Sequence, residues 1–172
     1  MATSTTIQYL QTVDAVTGAS LGPSPSNRRQ IETFLTTLVN VAGGAATISI
    51  TDGSWMAFDT NKSGASAAVF VTEAASVGGG NPLVCGVLLD AVSATFPASS
   101  PALDTRVVPC NVVVAGFAEA DVDGAVVAGS PLTVDTTPGR AHVAVTGDIH
   151  VCGVALAADV ANVAPVIVYK TF

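Results

Sequence analysis

The tetrapeptide Val-Cys-Gly-Val occurs twice, at 84–87 and at 151–154. Cys85 and Cys152 hold the same place in each copy, and Cys110 lies between them. The two histidines, His142 and His150, are close to the second copy. Thiolates and imidazoles together could ligate a metal, or one thiolate could act as a nucleophile. Structural zinc takes four N or S ligands, usually in close-spaced pairs. No Cys-x-x-Cys is present, and Leu83 stands where the second copy has His150. A nucleophilic cysteine needs a base and a group to orient that base, and the chain supplies no recurrent partner for either thiol. Free cysteine is otherwise a small, usually buried hydrophobe. Packing is therefore the expected role, with no catalytic residue, no cofactor and no metal.

Other candidates lead the same way. "VGGGNP" at 77–82 is glycine-rich but lacks the Lys-Ser/Thr of a phosphate loop, and it reads as a turn. Asp59 and Asp135 recur at matched positions ahead of turns, which Asp closes with its side chain. Trp55, the single tryptophan, is matched by Pro131 and is read as core or rim packing, with ligand stacking as the alternative.

The elements that must position these residues are β-strands. "ATISI" alternates, "SWMAFD" follows the turn "TDG", and "AAVFVT", "PLVCGVLL", "TRVVPCNVVVAGFAE", "SPLTVD", "AHVAV", "IHVCGVAL" and "PVIVYKT" follow. Short Val-rich runs between Gly, Pro, Asn and Asp predict an all-β sandwich or barrel. In a strand Cys85 and Val87 share one face, and Val84, Gly86 and Leu88 the other. Gly86 and Gly153 mark a bulge or a close backbone approach. "TEAASVGGG" and "AADVANVA" are each expected to hold a helical turn, and "SATFPASSPALD" at 93–104 to be a loop. Residues 28–40 carry both a helical spacing of apolar residues and a run of β-branched ones; strand is favoured.

The repeat is longer than its tetrapeptide. "DGSWMAFDT" at 52–60 matches "AGSPLTVDT" at 128–136, and an insertion near "VTEAASVGGG" separates that match from the cysteine match. A single β domain, 28–172, made of two related units at about 45–94 and 124–172 is expected.

Residues 1–27 are rich in Thr and Ser and contain "GASLGPSPSN". They read as a flexible leader or as an extended arm that adds to another chain. The arm is the expectation taken forward, and Ile7, Tyr9, Leu10 and Val13 within it, with Arg28 and Arg29 just after it, are the expected interaction residues.

Composition narrows the function classes. The chain is 49% hydrophobic and only 11% charged, less than half the usual charged share. So few charges imply a surface covered by partners. The net charge is −7, and the six Lys and Arg form no cluster beyond Arg28-Arg29, which argues against nucleic acid. The N-terminus lacks the basic start and apolar run of a signal peptide. No stretch of about 20 apolar residues predicts a membrane helix. The odd cysteine count predicts free thiols.

"SNRRQIETF", "DGSWMAFDTNKSG" and "NPLVCGVLLDA" resemble the head-decoration proteins of tailed bacteriophages. So does "DGAVVAGSPLTVDTTPGRAHVAVTGDIHVCGVALAADVA", with "PVIVYK" after it. The shared style is Gly129 to Leu132, then Gly147-Asp148, Gly153, Ala155, Leu156 and Ala158, and the likeness covers roughly residues 27–170. Copying of the unit within one chain departs from the simplest members. The resemblance implies a structural virion protein on the outer surface of an icosahedral capsid. Its partners would be the major capsid protein and other copies of itself, as a trimer or dimer. A receptor- or glycan-binding module on the virion surface is the alternative.

Overall fold

A computed structural model describes residues 29–169 of the chain. Eleven strands run through it: β1 (Gln30–Asn40), β2 (Ala46–Ile50), β3 (Trp55–Phe58), β4 (Phe70–Glu73), β5 (Val84–Leu88), β6 (Val92–Phe96), β7 (Asp104–Asp121), β8 (Pro131–Val134), β9 (Ala141–Val143), β10 (Gly153–Ala155) and β11 (Val163–Val168). The one helical segment among the described residues is a 3₁₀ turn at Gly64–Ala68. The all-β expectation holds, and the architecture is a closed barrel with additional strands.

Within 28–40, the described strand is β1, Gln30–Asn40. β1 buries Phe34, Thr36, Leu38 and Asn40 in strict alternation, so period 2 prevails over the helical spacing. Asn40 ends it: its Oδ1 accepts from Gly43 N at 3.1 Å, and its Nδ2 donates to Gly44 O at 2.8 Å. Such side-chain bonds to nearby backbone are how Asn closes a turn.

The pairing order β1-β4-β3-β5-β7, with β7 returning to β1, closes a first ring of five strands. β7 is 18 residues long and serves twice. Its residues Asp104 to Ala115 pair with β1, and Gly116 to Asp121 pair with β11. From β11 the sheet runs through β10 and β8 to β9. β9 then meets the end of β7 through the parallel bridge Val122–Ala141, where Asp123 N donates to Ala141 O at 2.7 Å. A second ring is thereby closed.

The two rings are copies in topology and register. Thr36 pairs Val71 in parallel as Val122 bridges Ala141. Met56 pairs Glu73 as Leu132 pairs Val143. Met56 faces Gly86 as Leu132 faces Gly153. Val87 pairs Val113 as Val154 pairs Ile167. Phe34 pairs Cys110 as Ala120 pairs Ala164. The repeat therefore takes in β1 and β11 and divides β7 between its two copies.

Each ring is filled by side chains. The first encloses Phe34, Leu38, Met56, Val71, Cys85, Leu88, Cys110, Val112 and Val114. The second holds the matching but smaller set, including Leu132, Ala141, Cys152, Ala155, Val166 and Val168. Trp55, Ala57, Val84 and Val87 of the first ring join that second cluster and weld the rings together. Fully burying one such large aliphatic is worth roughly 1.5–3 kcal/mol.

Two expectations about local structure are corrected. Neither "TEAASVGGG" nor "AADVANVA" holds a helical turn; the first runs from the end of β4 into bends, the second turns between the bridged Val160 and Val163, and the 3₁₀ turn lies in "GASAA". "SATFPASSPALD" is not a loop throughout. Val92–Phe96 is β6, which pairs β2 in a separate two-stranded ribbon. Its inner residues Val92, Ala94 and Phe96 turn towards the body, and the prolines act only after Phe96. The ribbon occupies the β1–β3 and β5–β7 connections of the first ring. The equivalent connections of the second ring, 123–130 and 156–162, are short.

Candidate functional site

The repeated phrase performs the same packing task in both rings. Cys85 Sγ donates to Met56 O at 3.4 Å, and Cys152 Sγ donates to Leu132 O at 3.3 Å. Met56 and Leu132 are equivalent residues, so each thiol bonds the same carbonyl of the strand on one side. The glycine serves the strand on the other side. A Cβ on Gly86 would collide with Val113 O, and one on Gly153 would sit 2.7 Å from Ile167 O. Those carbonyls are equivalent as well. A residue with no side chain is required where two backbones come this close.

The register slips between Met56 and Ala57, leaving Cys85 as the extra residue of a bulge. This corrects the facing expected from simple alternation. Cys85 packs with Leu88 inside the first ring, and Val84 and Val87 point to the second. One inserted residue shifts the side-chain period by one.

All three cysteines are free and buried. Burial, and then the neighbouring Cys110, push the Cys85 thiol far above its ordinary value. Burial pushes Cys152 up to about 12 and Cys110 up to about 11. A thiolate is the reactive form, and these environments oppose it. The histidines do not flank one another: β8 lies between them. His142 pairs Thr133 across the ladder, and Thr133 Oγ1 donates to His150 O at 2.9 Å. His142 Nε2 lies 3.4 Å from Asp148 Oδ2. Among the described residues no group of three or more His, Cys, Asp or Glu could hold a metal ion.

Asp135 fulfils the turn role: its carboxylate accepts from both the backbone and the hydroxyl of Thr136. Asp59 Oδ1 likewise accepts from Asn61 N at 2.9 Å. Trp55 is 0% exposed, with Nε1 donating to Asp121 O at 3.1 Å. Packing is its role, and a stacking surface for a ligand is not available there.

Folding creates one polar cluster that sequence reasoning missed. Glu73 and Asp121 come together near the junction of the rings, and both carboxyls are held above their ordinary values. Burial leads in each case; for Glu73 the charge of Asp121 adds to it. Thr51 Oγ1 donates to Asp121 Oδ2 at 3.4 Å and lies 3.2 Å from Ser54 Oγ. These residues are far apart in sequence, and no local signal joins them. The sequence also contains one Gly-x-Ser-x-Gly, "GASLG" at 18–22, outside the described residues. A nucleophile elbow needs a helix directly after it, and Pro23 and Pro25 follow instead.

Of the expected contact residues, Ile7, Tyr9, Leu10, Val13 and Arg28 lie outside the described residues. Arg29 is described, and it is fixed. Its Nε donates to Phe117 O at 3.0 Å, and its guanidinium lies 5.8 Å from the centre of the Phe117 ring. It lines a shallow groove with Asp52, Leu89, Phe117 and Glu119, where β7 passes from one ring to the other. Apolar residues remain bare elsewhere. Val77 and Ile149 stand on two loops tied by Ile149 N donating to Gly79 O at 2.9 Å, and Val127, Leu156 and Val160 stand in the 123–130 and 156–162 connections of the second ring. No protein-family model matches the chain, and no curated protein matches it.

Proposed function

We propose that this chain is a structural virion protein that decorates the outside of an icosahedral phage capsid and stabilises it by non-covalent contacts. Its partners are the major capsid protein and neighbouring copies of itself. Catalysis has no part in this reading. The observation that carries it is the division of the molecule into a filled interior and a sparsely charged, partly apolar exterior. Both rings are packed with side chains, the three thiols among them, while Val77, Ile149, Val127 and Val160 are more than 60% exposed. Large exposed apolar residues grouped on loops support a role in assembly. Copies repeated over a lattice turn modest single contacts into strong retention. The acidic net charge suits an outer position, away from packaged DNA. No described helix is long and apolar enough to cross a membrane. The alternative, a glycan- or receptor-binding module, loses its best candidate residue with the burial of Trp55.

The test is reconstitution. Heads assembled without this protein should lose DNA at lower temperature than complete heads, and adding the purified protein should restore their stability. Equal stability of the two kinds of head, or failure of the protein to bind them, rejects the proposal.

A further inference from the structure

The β1–β7 ladder has two faces. Phe34, Leu38, Val108 and Cys110 turn into the first ring. By alternation, Thr33, Leu35, Thr37 and Val39 of β1 form the outer face with their partners Asn111, Pro109, Val107 and Thr105. None of these carries a charge. The charged residues of the ladder, Glu32, Asp104 and Arg106, hold the inward-turned positions, where Arg106 lies over the Phe96 ring. Val107 is 54% exposed, and Val41 and Leu103, at the end of the ladder, are 68% and 65% exposed. Phe70 adjoins Leu35 from β4, and Lys62 lies over its ring, so a charge rims the face on that side. The second ring differs at the matching place. Since the pair Phe34–Cys110 corresponds to Ala120–Ala164, Glu119 and Asp121 stand where the first ring has Thr33 and Leu35.

We infer that two copies of this chain associate through the outer face of the β1–β7 ladder, each packing that face on the same face of the other. With a net charge of −7, copies repel one another over most approaches. The β1–β7 face brings no charge to desolvate, and Leu35, Val39, Val107 and Pro109 give it an apolar centre. The matching face of the second ring would set carboxylates against carboxylates. Like patches meeting like is the commonest closed association, and aligned sheets pack about 10 Å apart with interlocked side chains. Strand addition is a poorer route. Leu35 N donates to Val69 O, away from β7, so Leu35 and Pro109 exchange no ladder bonds. Pro109 therefore turns its nitrogen to the other edge of β7, where it has no hydrogen to offer an added strand. The ladder is about 35 Å long and two strands wide, so covering it on both copies removes on the order of 1,000 Å² from water, the low end for a specific contact. The pair is accordingly weak, of the kind that repetition over a lattice strengthens. This surface supplies the copy-to-copy contact of the proposed function and rests on that reading for its use on a head; the pairing itself belongs to the free chain.

Sedimentation equilibrium of the full chain, from about 1 μM to about 1 mM, tests it. The mean mass should climb with concentration from one chain towards two. Val107→Asp and Val107→Arg, both at an exposed position, should each weaken the pairing at least about tenfold with the circular dichroism spectrum unchanged. Val160→Asp, which adds the same charge at a residue of the second ring that is 78% exposed, should leave the pairing as it was. A single-chain mass at every concentration overturns the inference and leaves the face to the capsid protein or to no partner. A limiting mass other than two chains overturns it as well. So does pairing that survives both Val107 variants, because the copies would then meet elsewhere. Weakening by Asp with strengthening by Arg also overturns it, since overall charge and not this face would be in control. Heads that fail to bind the protein reject the virion reading, whereas these masses judge the pairing alone.

Discussion

Gly86 and Gly153 sit at equivalent points, yet they are not equally constrained. A methyl group at Gly86 meets a backbone carbonyl at closer range than one at Gly153, whose other neighbour is the edge of the Trp55 ring. Backbone cannot swing aside as a side-chain end can. Gly86→Ala should cost at least about 2 kcal/mol, the scale of overpacking in a tight core, and more than Gly153→Ala. Urea unfolding of the two variants checks the order. The acidic pair is a second residue-scale feature with a definite sign. Glu73 and Asp121 have folded-state values above their ordinary ones. The folded chain thus binds more protons than the unfolded chain between those values, and stability falls as pH rises through that window. Glu73→Gln removes one contributor. It should raise the melting temperature at pH 7 and flatten its fall as pH rises above the ordinary glutamate value. An unchanged slope would mean that other groups set it. Asp135 works in the opposite direction: bonds from Thr136 outweigh its burial and hold its carboxyl low, so its contribution is lost on acidification.

At the scale of elements, alternation was the most legible signal. "ATISI" is β2 and "AHV" is β9, and the strand reading of residues 28–40 holds over Gln30–Asn40 as β1. The repeat predicted equivalent strands because their glycines, cysteines and turn aspartates were preserved. What stayed hidden was set by non-local geometry. The bulge at Cys85 depends on Val113 coming close to Gly86, which no local pattern records. β6 was obscured by small residues and by the prolines beyond it, and its strand character rests on pairing with β2, across more than 40 intervening residues. The thiols' packing role could be read from residue type, while the Glu73–Asp121 pair could not. The ribbon is no ornament. Phe96 is 1% exposed, and Arg106 lies over its ring with the guanidinium 5.7 Å from the centre. Phe96→Ala should cost about 3–5 kcal/mol, as full truncation of a buried aromatic does. A loss below about 1 kcal/mol in urea unfolding would mean that the ribbon is only loosely held.

For the whole molecule, the decisive fact is that the two rings are not two beads. β7 contributes one part to each, and Trp55 of the first ring is buried in the cluster that fills the second. Melting the second ring removes the pairing partner of Gly116 to Asp121 and uncovers Trp55, Val84 and Val87, which belong to strands of the first. Neither ring can open without exposing apolar surface of the other, so the chain should unfold in one transition. Three probes report on it separately. Trp55 is the single tryptophan and reads the junction, while Cys85 and Cys152 read the first and second ring interiors by their reactivity towards a thiol reagent. Urea midpoints from tryptophan fluorescence and from the two thiols should coincide. Trp55→Ala should lower both thiol midpoints together, because it removes a shared contact. If Cys152 became reactive at clearly lower urea than Cys85, the rings would be separable units, and the continuity of β7 would count for less than the weaker filling of the second ring by alanines.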